Sequence, residues 1–486
     1  MSKQPSQHDL QLPIIAHTTQ DGLGKNQTTN YIILTSRRRF EGLVLLSFSV
    51  FVCFWYTTWF AAVPRTVFEE LDNTGSYFRQ SQNWAQYSPY YPVEPYRSPP
   101  SNCEVTQVNI LQRHGARYPT AGSSKHIRGA LKKLLAVRNY TDPQLLFLHN
   151  FTYNLGEDDL VPFGAYQSFE AGGDTFQRYA HLVSEDNMPF VRASSEERVV
   201  MSATNWTAGF AAASSHKYTP VLSVILPEDA NDTLADNMCL KAEPDEEKKA
   251  KWLKKYAPPI TRRLNAGAPY AKLDDEDTSS LMSLCPFETV ATQSPSAFCA
   301  VFEDMEDAFS GYEYSGDLDK YYGTGYGGKL GRVQGVGYVN ELLARLTGNP
   351  VRDHTQTNRT LDSSPETFPL HRNLYADFSH DNEMVAIYTA LGLFRPKMPL
   401  RPKHPDPKRR WRASRLVPFS ARMVVERLEC SGRAVSRQYV RILVNQALQP
   451  LEFCGSGDGL CTLSDFVESQ AYSRSGGEGD WEECFE

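Results

Sequence analysis

The sequence predicts an α/β domain with a mainly helical insertion, carried behind a single N-terminal transmembrane helix. Three observations point there. Short β-branched segments alternate with segments of helical period beyond residue 100, a helix-leaning stretch interrupts them at approximately 228–320, and one long uncharged run lies near the N-terminus.

The run is Gly42–Val63 (GLVLLSFSVFVCFWYTTWFAAV), free of charge and long enough for a bilayer, which takes about 20 residues. Trp55, Tyr56 and Trp59 fit an interfacial aromatic belt. Arg37, Arg38 and Arg39 precede it while only Arg65 follows closely, so the positive-inside rule leaves the N-terminus in the cytosol. The layout is then a cytosolic tail at 1–39, a signal-anchor at 40–63, a Ser-, Tyr-, Asn- and Pro-rich stalk at 64–100, and a folded domain at 101–486. Cleavage near Ala61-Ala62-Val63, giving a secreted chain, is the rival; the long polar leader and the span length favour a retained anchor.

Within the domain, Glu104–Leu111 (EVTQVNIL) alternates and reads as a strand running into Arg113. Pro189–Ala193, Arg198–Met201, Thr219–Leu226, Asp377–Ser379 and Tyr439–Val444 are further strand candidates. Gly129–Val137, Phe163–Val183 and Gly337–Leu346 have helical apolar spacing, and Glu243–Tyr256 reads as a charged, solvated helix.

A net charge of −7 over 486 residues excludes nucleic acid as a bulk partner and requires any anionic ligand to meet a local cluster of cations. Of nine cysteines, Cys53 lies in the apolar run and eight remain, without the paired C-x-x-C units of a structural zinc site. An even count suggests disulfides, although eight cysteines allow about 105 pairings. Sequons at Asn139, Asn150, Asn205, Asn231 and Asn358 agree with an extracellular or lumenal domain.

The chemistry concentrates in Gln112-Arg113-His114-Gly115-Ala116-Arg117-Tyr118-Pro119-Thr120. Two arginines bracket a histidine at a strand end, where α/β sheets bind ligands, and a glycine permits the tight turn. Guanidinium groups match phosphate oxygens, and an imidazole among them can attack phosphorus. This string resembles the signature of the histidine acid phosphatases, the branch of the histidine phosphatase superfamily that includes fungal phytases. Ser379-His380-Asp381-Asn382 is similar to the family's H-D element, and Phe190-Val191-Arg192-Ala193-Ser194 to its arginine-bearing strand. Asn205–Phe210, Asp317-Leu-Asp-Lys, Tyr322–Leu346, Gln356–Asp362, Val417–Met423 and Pro450–Cys454 resemble the basidiomycete-type phytases in particular.

The resemblance covers roughly residues 100–486 and implies a histidine phosphatase (phosphoglycerate mutase-like) fold, a mixed sheet flanked by helices under a mainly helical cleft domain. It implies a phosphohistidine on His114, Asp381 as proton donor, and Arg113, Arg117, Arg192 and His380 as phosphate ligands. It further implies disulfides Cys103–Cys430, Cys239–Cys484, Cys285–Cys299 and Cys454–Cys461, and neither metal nor organic cofactor. The expected function is an acid phosphomonoesterase, acting as a monomer on myo-inositol hexakisphosphate with a bell-shaped acidic pH profile; a broad-specificity acid phosphatase and a non-catalytic surface protein are the alternatives. Ser195-Glu196-Glu197 departs from the glycine-containing turn that relatives often carry, and Lys125, with His126 and Arg128, is placed to meet outer phosphates or solvent. Gly323–Lys329 matches G-x-x-x-x-G-K, but Leu330 stands where a P-loop needs Ser or Thr, so it reads as a glycine loop.

Overall fold

The computed structural model describes residues 80–305, 307–431, 437–455 and 457–486. The expected tail and anchor lie outside these residues, as does the first part of the expected stalk. Among the described residues no helix is long and apolar enough to cross a membrane.

An eight-stranded mixed sheet organises the chain, in the order β3-β2-β4-β1-β5-β6-β7 with β8 added to β6. Its left half is parallel: β3 (Leu222–Leu226), β2 (Phe190–Ser194), β4 (Leu374–Ser379) and β1 (Cys103–Arg113) all point the same way. Its right half, β5 (Arg422–Cys430), β6 (Arg437–Val444), β7 (Ala447–Leu448) and β8 (Cys461–Thr462), is antiparallel. β4 is wholly buried, as expected of a parallel strand covered on both faces.

Helices cover the sheet and carry several of the site's residues. α1 (Ala121–Leu135) follows β1, and α2 (Pro162–Tyr179) and α3 (Glu197–Ala213) pack against each other across Gly172 and Gly209. The long α4 (Glu246–Gly267) runs through Pro258 and Pro259 and buries Trp252, Tyr256, Ile260 and Leu264, so only one side of the expected solvated helix faces water. α5 (Asp275–Met282), α6 (Leu284–Thr292), α7 (Ala297–Glu303), α8 (Ala308–Tyr322) and α9 (Val336–Thr347) precede β4, and α10 (Asp381–Ala390) follows it directly.

Two expectations change, and one strand was not anticipated. Arg198–Met201 is the first turn of α3, not a strand, because Val199, Ala203, Trp206 and Phe210 recur at helical spacing and are all buried. β5 was hidden in a segment whose charged residues alternate imperfectly with Met423, Val425 and Leu428. The described end of the expected stalk is packed into the domain: Trp84 is fully buried, and the backbone N–H of Ala85 donates to Glu313 at 2.7 Å. Aromatic side chains without period carry no sequence signal of burial, yet each has a large area to bury.

Disulfides join Cys103 to Cys430, Cys239 to Cys484, Cys285 to Cys299 and Cys454 to Cys461. The first clips directly opposed residues of β1 and β5 across 327 positions of sequence. Closing so long a loop restricts the unfolded chain, so the double variant C103A/C430A is expected to lose about 3–5 kcal/mol in denaturant titrations. The short Cys454–Cys461 loop is expected to matter less.

Candidate active site

Parallel pairing brings the chemistry together. Arg113 on β1 lies opposite Ser379 on β4, so the residues that follow, His114 on one strand and His380-Asp381 on the next, emerge side by side. The two imidazole centroids are 5.9 Å apart.

His114 is buried and its ring is fixed by Nδ1, 2.8 Å from the Gly115 carbonyl oxygen. A carbonyl only accepts, so Nδ1 carries the proton and the lone pair is on Nε2. Gly115 is required by contact: a Cβ there would stand 2.1 Å from the Gly164 oxygen, and one on Gly164 would stand 2.0 Å from the Ala116 oxygen. Two bare backbones therefore lock the loop after β1 onto the start of α2. The backbone N–H groups of Gly115 and Ala116 donate to Ser202 and Gln167, both at 3.0 Å. Burial, then the positive charges of Arg113, Arg117, Arg198 and His380, hold the His114 pKa well below the usual imidazole value.

Arg113 is fully buried. Its Nη1 donates to the Gln86 and Val417 carbonyls, its Nη2 lies 3.4 Å from Asp381 Oδ2, and its guanidinium sits over the Phe419 ring. Arg117 is buried too and donates from Nη1 to the Tyr118 carbonyl at 2.8 Å. Asp381 opens α10, where a helix N-terminus favours an anion. Lys320 of α8, buried, reaches the same carboxylate at 2.8 Å and donates to the side-chain Oδ1 of Asn382 at 2.5 Å. Burial alone pushes the Asp381 carboxyl up, but Arg113 and Lys320 outweigh it and hold it well below the usual range.

His380 directs Nε2 to the Glu196 carboxylate at 2.8 Å and Nδ1 to the Leu234 carbonyl at 3.4 Å. Two acceptors favour the imidazolium, and Glu196 raises the His380 pKa against the downward push of burial. Burial likewise pushes Glu196 up, but His380 and Arg198 outweigh it. Glu196 also pairs with Arg198, the second residue of α3.

Arg192 is not at this site, a correction to the sequence reading. Register places it opposite Asp377, two residues short of Ser379, and its guanidinium is engaged there with Asp377 at 2.8 Å and Glu341 at 2.5 Å. Arg345 joins from α9, also at 2.5 Å from Asp377, and the two arginines hold Asp377 at about 2 despite burial. The third guanidinium acting on His114 is that of Arg198, hidden in sequence by its position inside a segment read as a strand. Lys320 was visible only as part of the Asp317-Leu-Asp-Lys stretch. Lys125 lies on α1, exposed, along a groove of about 700 Å³ lined also by Gln86 and Asp319, where Lys133 is paired with Asp277 and Lys249 with Asp319. Gln86 and Asp319 tie that groove to the buried cluster through Arg113 and Lys320.

Among the described residues one histidine–carboxylate group, Glu196, Glu228 and His380, is close enough to share a metal ion. Arg198 already neutralises the Glu196 oxygen that would coordinate it.

Residues 104–445 match the histidine phosphatase superfamily (branch 2). Phytase A of Emericella nidulans is 42% identical over 427 residues, covering 83% of this chain and 90% of that protein. Phytase A of Aspergillus fumigatus is 40% identical over 428 residues, with 83% and 90% covered. The crystal structure of the D. castellii phytase superposes with a TM-score of 0.68 at 22% identity, covering 82% of this chain and 85% of that one, a likeness of fold. The chain belongs to the histidine phosphatase superfamily, branch 2.

Arg192 and Arg198 separate by experiment. R198A is expected to lower kcat/KM about a hundredfold, the order seen when one charge-stabilising donor is lost. R192M breaks a buried ion network and is expected to cost about 3 kcal/mol of stability in denaturant melts, while the folded fraction keeps its turnover.

Proposed function

We propose that the protein is an acid phosphomonoesterase, a phytase that removes phosphate from myo-inositol hexakisphosphate through a phosphohistidine on His114. The observation that carries this is His114 itself: proton fixed on Nδ1, lone pair on Nε2, and a pKa depressed among Arg113, Arg117, Arg198 and His380. The relatives named phytase A support the substrate.

Nε2 attacks phosphorus in line while the P–O bond to the inositol ring breaks. The leaving oxygen takes the proton of Asp381, and the positive charge that forms on the phosphorylated ring is met by the Gly115 carbonyl at Nδ1–H. Water then attacks phosphorus, Asp381 takes its proton, the P–N bond breaks, and orthophosphate leaves. Arg113, Arg117 and Arg198 stabilise the transferring oxygens. Because His114 stays neutral well into acid, the nucleophile works where Asp381 can be protonated. Before substrate arrives Arg113 and Lys320 keep Asp381 ionised. The incoming dianion offsets those two cations and lifts the Asp381 pKa, so that the acid form belongs to the complex.

We further propose that the catalytic domain lies outside the cytosol, which four disulfides support. Gly42–Val63 delivers it, either as the signal-anchor of a single-pass type II protein or as a cleaved signal of a secreted one; N-terminal sequencing of the mature chain separates the two.

The role of Asp381 is tested by leaving group. D381N is expected to lower kcat about 10²–10³-fold on phytate and far less on p-nitrophenyl phosphate, whose leaving group needs no proton. Equal losses on both would remove Asp381 as the proton donor. Kinetics of the full chain on the same two substrates also decide between a phytase and a broad phosphatase. For pH, K320M removes a cation that depresses Asp381, so the carboxyl pKa rises. The protonated acid then persists to higher pH, and the basic limb of the kcat profile is expected to move up by about one unit.

A further inference from the structure

We propose that Glu196 is a built-in competitor for phosphate: its carboxylate occupies the faces of His380 and Arg198 that an entering phosphoryl group needs, and it must swing out for substrate to bind. This deepens, and rests on, the reading of the site as a phosphate pocket.

The contacts are those of an anion held in an anion site. Glu196 Oε2 lies 2.8 Å from His380 Nε2 and pairs with Arg198 Nη2. His380 Nδ1 is turned to the Leu234 carbonyl, so Nε2 is the nitrogen available to a ligand. Arg198 Nε has no hydrogen-bond partner, unlike that of Arg192, which donates to Asp377. The carboxylate thus stands on the same two cations that would grip phosphate oxygens. A phosphoryl dianion brought within about 4 Å of it would be strongly repelled even in a partly wet site.

The surroundings let the side chain move and the backbone stay. The Glu196 N–H donates to Glu228 at 3.3 Å, and its carbonyl accepts from Val199 at 2.8 Å and Val200 at 3.1 Å as α3 begins. The Glu196 side chain keeps 37% of its surface in solvent, against 11% for His380. Rotation about its side-chain bonds therefore releases both cations without disturbing the helix, and such rotations are fast beside turnover. The carboxylate returns when orthophosphate leaves, opposing product retention.

The test is orthophosphate affinity in E196Q, which keeps the size of the side chain, and E196S, which removes it. In the full-length chain the inhibition constant of orthophosphate is expected to fall about tenfold in both, the order set by one partly exposed like charge, and KM for phytate to fall in step. Calorimetric titration of orthophosphate into the same variants on a His114→Ala background reads binding without turnover. Unchanged or weaker binding in E196Q and E196S, with native circular dichroism, would overturn the competitor and leave Glu196 as a positioning residue for His380. The underlying reading fails differently: the unsubstituted chain would not hydrolyse phytate, or orthophosphate would not compete with it.

Discussion

The ion pair between buried Arg113 and half-buried Asp381 is the constraint from which the rest of the site follows. Arg113 ends β1, Asp381 opens α10 beyond β4, and their 3.4 Å contact fixes the ends of two parallel strands. A buried cation without a partner would be costly, so the pair is kept closed by further acceptors. The Gln86 and Val417 carbonyls take Nη1, Lys320 takes the far side of the carboxylate, and Phe419 covers the guanidinium face. These come from three separate parts of the chain, so one ion pair gathers the segment before β1, α8, and the turn before β5 around His114.

The same cluster sets the charge states that the chemistry needs. His114 is buried and Asp381 half-buried among cations, and both are pushed down, yet the consequences differ. A depressed imidazole is a nucleophile ready in acid, whereas a depressed carboxyl is a poor acid until something offsets the cations. In the mechanism we propose, the substrate phosphate is that something. Protonation is thereby coupled to occupancy, and His380, held charged by Glu196, contributes to the field from the opposite side.

Much of this was legible in the sequence, for reasons that can be named. Arg113, His114 and Arg117 lie within one short string at a strand end, and His380-Asp381 at another, so local spacing alone marked them. The parallel alternation of strand and helix marked the sheet. What escaped depended on register or on distance. Arg192 and Arg198 sit six positions apart in a segment with two plausible periods, and only the pairing of Arg192 with Asp377 shows that it lies below the edge of the sheet. Lys320 reaches Asp381 across 61 positions with no periodicity to announce it. Trp84 and Gln86 looked like stalk because a segment can be buried by contact without being regular.

The backbone contact between Gly115 and Gly164 has a wider bearing. It joins the loop that carries His114 to α2 by shape, with no side chain between them to take up slack. Heat or denaturant that lets α2 drift thus displaces the very loop that aims Nε2. Inactivation and loss of tertiary packing are therefore expected to coincide, with no regime in which a softened scaffold still turns over.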